Sequence, residues 1–125
     1  MTTKQKLLVQ IDSFLSELCT IFPDDKSINL LNEKYLFIKS ANSTLVVQYF
    51  IKFIYPCKEQ ILSQDENFFL QGGGQDEIKH ESGLKFRDNL KNLWNSQMSD
   101  ENKVIVWKYF KIFILLSEKY INENN

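Results

Sequence analysis

A single histidine, two cysteines and four adjacent pairs of acids are the residues of this 125-residue chain with the means to do chemistry. His80 has Glu77 and Glu81 close by in sequence, but it follows the run Gln71-Gly72-Gly73-Gly74-Gln75. A general base or a metal ligand needs partners held at hydrogen-bond or coordination distance, and a run of glycines holds nothing rigidly. His80 therefore reads as a solvated loop residue. Those glycines are not a phosphate loop either: Gln75-Asp76 stands where that motif needs Lys followed by Ser or Thr. Cys19 and Cys57 both lie inside apolar patterns without matching histidines or acids, which predicts two reduced, buried thiols rather than a zinc site or a disulfide framework. Of the acid pairs, Asp24-Asp25 and Asp100-Glu101 stand where helices begin, so capping explains them. Asp65-Glu66 precedes Phe68 and Phe69, whose burial beside it would raise a carboxylate's pKa, although a helix cap accounts for that pair as well. None of these groups forms a catalytic, cofactor-binding or metal-binding signature, and a non-enzymatic protein without a cofactor is expected.

The elements that would position these residues are helical. Leu7, Ile11, Phe14, Leu18 and Phe22 recur at three- and four-residue spacing, with Leu8, Leu15 and Cys19 widening the stripe. Thr2 and Gln5 have capping-box spacing, and Pro23 with Asp24 and Asp25 ends this first helix. Ile28, Leu31, Tyr35 and Ile38 repeat the pattern and predict a second helix over about 25–39, facing inward by those residues. The stretch from Ala41 to Thr44 reads as a turn that caps a third. That third segment carries Leu45, Val46, Val47, Tyr49, Phe50, Phe53 and Ile54, types that also suit a strand; length and helical neighbours favour a helix. Pro56 must kink or restart it, with a further turn or two over 57–62. Residues 71–83 read as a flexible, acidic, glycine-rich loop, and the interval Asp65 to Glu81 holds five acids against Lys79 alone. A fourth helix over 83–96 would face inward by Phe86, Leu90, Leu93 and Trp94.

Ser99 then caps the last helix, which is apolar on nearly every side from Val104 to Ile121 and leaves one narrow polar stripe of Lys108, Lys111 and Glu118. A helix of that kind is normally enclosed by its neighbours. The expected fold is an all-α, single-domain bundle spanning residues 1–125, with about five helices around this apolar C-terminal one.

Composition narrows the class. With 43% hydrophobic and 25% charged residues the chain is globular rather than disordered, and a formal net charge of -1 excludes a surface that is basic throughout. No secretory leader is evident, because Asp12 and Glu17 interrupt the first twenty residues. The most apolar window, Val104 to Leu116, contains Lys108 and Lys111 and falls short of the roughly 20 apolar residues of a membrane span. An intracellular protein without a membrane span is expected.

Ten Phe, five Tyr and two Trp are more rings than one small core holds with ease. Tyr49, Phe53, Tyr55, Phe68, Phe69, Trp107 and Phe110 are the candidates for a protein-partner or self-association surface. The alternative partner is nucleic acid, met by Lys85, Arg87 and Lys91 on the fourth helix with Lys103, Lys108 and Lys111 on the fifth, should those cations share a face. An ordinary solvated helix surface accounts for the same lysines.

The stretch from Leu90 to Tyr120, with Trp94, Ser99, Asn102-Lys103, Ile105, Trp107-Lys108-Tyr109-Phe110 and Leu116, resembles small helical proteins of large DNA viruses of protists. The segment Ile51 to Leu70, with Tyr55-Pro56, Ile61, Asp65-Glu66 and Phe68-Phe69, adds to the likeness. The resemblance implies a helical fold and an accessory factor in a viral or protist setting, with no catalytic residues to carry over.

Overall fold

A computed structural model describes residues 1–66 and 92–124. Among these the fold is all-α: α1 (Thr3–Ile21), α2 (Lys26–Ala41), α3 (Ser43–Ile54), a 3-10 turn (Tyr55–Cys57), α4 (Lys58–Leu62) and α5 (Asp100–Glu123), with helical backbone also over 92–96. The expected loop over 71–83, most of the expected fourth helix, and the candidates Phe68, Phe69, Lys85, Arg87 and Lys91 lie outside the described residues.

Side chains near in sequence set the helix boundaries. Thr2 and Gln5 close the anticipated capping box: the Gln5 N–H donates to Thr2 Oγ1 at 3.1 Å and the Thr2 N–H to Gln5 Oε1 at 2.8 Å. Asp25 accepts from the Ile28 N–H at 3.0 Å, and Ser99 from the Asn102 N–H at 3.2 Å. Asn42 serves two helices at once. Its own N–H donates to the Ile38 carbonyl, closing α2 past Lys39, while its side chain accepts from the Leu45 N–H to start α3. The β-branched segment is thus helical; a strand would have left that cap without a helix to satisfy. Pro56, lacking an N–H, falls in the 3-10 turn that separates α3 from α4.

The core forms where α1 lies antiparallel to α5. Thr3 Oγ1 donates to Glu123 at 2.9 Å at one end, and Tyr109 Oη donates to Glu17 at 2.9 Å towards the other. Between them the Phe14 ring meets Tyr109, Phe110 and Phe113 with centroids 5.3, 5.6 and 5.6 Å away, and Phe50 of α3 stands edge-on to Phe113 at 4.8 Å. Such tilted and edge-to-face pairs add to the stabilisation from burial. Trp94 packs edge-on against Trp107 at 5.3 Å and anchors the 92–96 segment to α5. The bidentate Lys58–Glu118 pair, at 3.2 Å to each oxygen, ties α4 to the same helix.

One expectation is corrected. The C-terminal helix is not enclosed on all sides: α1, α3, the 3-10 turn and α4 gather against its buried side, formed by Val106, Trp107, Phe110, Phe113, Ile114 and Ser117. The opposite side leaves Val104, Ile112 and Leu115 exposed among Lys108, Lys111 and Lys119. Among the described residues the reason is geometric, since α2 docks mainly on α1 and α3 rather than on that side of α5.

Candidate interaction surface

The rings singled out in the sequence divide by depth. Tyr49 is exposed and helps α3, through Leu45, Gln48 and Lys52, to form with Tyr120 and Ile121 of α5 an open groove of about 430 Å³. Phe53 and Tyr55 are half-buried against the core, Tyr55 beneath the Lys58 ammonium at 5.8 Å. Trp107 and Phe110 are 8% and 1% exposed. Their assignment to a partner surface is therefore corrected: Phe14 and Trp94 pack against them within the core, and no partner reaches those rings without opening it.

The lysine cluster divides too. Lys103 turns inward, its ammonium 5.2 Å from the Trp94 ring centroid and 3.9 Å from Glu66. It links the loop after α4 to the 92–96 segment, whereas Lys108 and Lys111 extend into solvent. One basic face containing all three does not form.

Sequence reasoning missed the outer side of α2. This helix buries only Ile28 and Tyr35, while Leu30, Leu36, Phe37 and Ile38 are exposed, Phe37 at 74%. Ile38, expected to face inward, lies outside because the Lys39–Asp12 ion pair, at 2.8 Å, and the Tyr35 hydroxyl on the Leu8 carbonyl turn the neighbouring positions towards α1. Leu30 and Phe37 stand seven residues apart, on one ridge of a 3.6-residue helix, and that spacing was the available signal.

Two phenols at helix contacts resist ionisation. Burial, then the nearby Asp12 carboxylate, pushes Tyr35 far above the ordinary tyrosine value. Burial and the hydrogen-bonded Glu17 raise Tyr109 in the same direction. Both act as neutral structural donors. Cys19 and Cys57 form no disulfide with each other, Cys57 is buried, and burial raises the Cys19 thiol above its usual value, away from the reactive thiolate. Among the described residues no three His, Cys, Asp or Glu side chains gather as metal ligands, and no helix is long and apolar enough to cross a membrane.

No family model matches the chain, and no curated protein or solved structure is significantly similar to it.

Proposed function

We propose that this protein is a non-enzymatic interaction or assembly module that binds a protein partner, or a second copy of itself, through apolar helix surface. One observation carries this: α2 exposes four large hydrophobic residues, Leu30, Leu36, Phe37 and Ile38, where an amphipathic helix places polar ones. Apolar surface gathered on one element, rather than scattered singly, is characteristic of association sites. An accessory role inside a cell, in a viral or protist setting, is part of the proposal. The nucleic-acid alternative has less support, because Lys103 lies on Trp94 and apart from Lys108 and Lys111.

Sedimentation velocity over about a hundredfold range of concentration tests the self-association arm. Binding of an apolar fluorescent dye tests for the surface itself. Phe37→Ser should lower both signals while leaving helical content unchanged, since an exposed ring contributes little to folding. A protein that stays monomeric throughout, and whose dye binding is the same with Phe or Ser at position 37, would remove the basis of the proposal.

A further inference from the structure

The outer side of α5 carries a stripe that the core does not use. Val104, Lys108, Ile112, Leu115 and Lys119 follow one another at three- and four-residue steps along about 22 Å of helix, and Lys111 joins them three residues after Lys108 and four before Leu115. Val104 and Leu115 are 52% and 54% exposed, and Ile112 is exposed beside them. Lys108, Lys111 and Lys119 are all exposed, and none enters an ion pair among the described residues. By contrast Lys39, Lys58 and Lys103, at contacts between elements, are each matched to an acid. No acid stands three or four positions from Lys108 or Lys111, so the helix does nothing to relieve their mutual repulsion.

We infer that this stripe is a docking site for an acidic amphipathic helix of another protein, one that sets aliphatic side chains against Val104, Ile112 and Leu115 and carboxylates against Lys108, Lys111 and Lys119. Charge complementarity selects this occupant. A second copy of the chain would bring lysines against lysines, which disfavours symmetric self-pairing here. Nucleic acid would use the cations but not the aliphatic residues, and the stripe offers no ring on which a base stacks. An anionic membrane surface favours an unbroken apolar band with cations at its edges, whereas Lys108 and Lys119 lie between Leu115 and Ile112 around the helix. The site shares the interaction-module proposal with α2 but rests on a separate surface.

The test is a fluorescein-labelled synthetic peptide of about twenty residues, with Glu and Leu alternating at three- and four-residue spacing, titrated with the full chain at low salt and at about 0.5 M salt. Saturable binding that weakens with salt is expected. Lys108→Glu with Lys111→Glu should weaken it by about tenfold or more, Lys108→Arg with Lys111→Arg should preserve it, and Leu115→Ser should weaken it without altering salt dependence. Phe37→Ser should leave it unchanged, which separates failure at this site from failure of the α2 surface. Circular dichroism confirms that each variant retains its helices. The inference is overturned by absence of peptide binding, by indifference to Leu115→Ser, or by tighter binding of duplex DNA or phosphatidylserine vesicles than of the peptide. Loss of self-association on reversing the lysines would overturn it equally, in favour of a second copy.

Discussion

Ser117 sits within α5, fully buried, and among the described residues its hydroxyl has no hydrogen-bond partner. Burying an unsatisfied hydroxyl costs about 1–3 kcal/mol, and alanine is the better helix former. Ser117→Ala should therefore raise stability by about 1 kcal/mol, read as a higher denaturant midpoint at unchanged slope; a lower midpoint would show that the hydroxyl is bonded. The two raised phenols predict an alkaline limit. A phenol held above its unfolded value of about 10 contributes stability that is complete below that pH and is lost as pH rises beyond it. Thermal midpoints should accordingly decline above about pH 10, and the decline should flatten in Tyr35→Phe and in Tyr109→Phe.

The helices end where local chemistry ends them, and α4 does so at a cost. Gln64 has φ of 54°, the left-handed region, in the position where helices commonly place glycine. The Asp65 N–H donates to the Gln60 carbonyl and the Gln64 N–H to that of Ile61, which completes the Schellman closure. Gln64→Gly should stabilise the chain by about 0.5–1 kcal/mol in chemical denaturation, because the left-handed conformation costs a side-chain-bearing residue roughly that much more. The N-terminal caps were readable at Thr2, Asp25 and Ser99, since a side chain there acts on backbone three residues away. The Gln64 turn was not readable, as nothing in its residue type marks it. The orientation of α5 was readable only in part. The stripe of Lys108 and Lys111 marks the side that meets water, but with Ile and Val on every side of Val104 to Leu116 it does not show which apolar residues join them outside, and the packing of α1, α3 and α4 decides. The inward turn of Lys103 depends on Trp94 and Glu66, which come from separate segments, so no local rule anticipates it. Of the rings named as partner-surface candidates, Tyr49 is exposed, while Trp107 and Phe110 could not be told from core by type alone.

Across the whole molecule, attachment is uneven. α1 and α5 share an aromatic seam closed at both ends, whereas α2 is held by Ile28, Tyr35 and the Lys39–Asp12 bridge, between two joints at Phe22–Asp25 and Asn42. Elements with few buried apolar contacts open before the rest unfolds. Amides in α2 should therefore exchange with deuterium well before those around Phe110 and Phe113, while uniform protection across both helices would contradict this order. An α2 that detaches readily also suits a surface offered to a partner, since binding would then order the helix as well as cover it.

Trp94 and Trp107, the only two tryptophans of the chain, stand against each other at one end of the bundle. Their emission is thus a local gauge, sensitive to how the 92–96 segment seats on α5 and nearly blind to α2. A melt followed by indole fluorescence would register only the final collapse, and a far-ultraviolet trace recorded alongside it should begin to fall at a lower temperature. The gap between the two traces would measure how loosely the second helix is held.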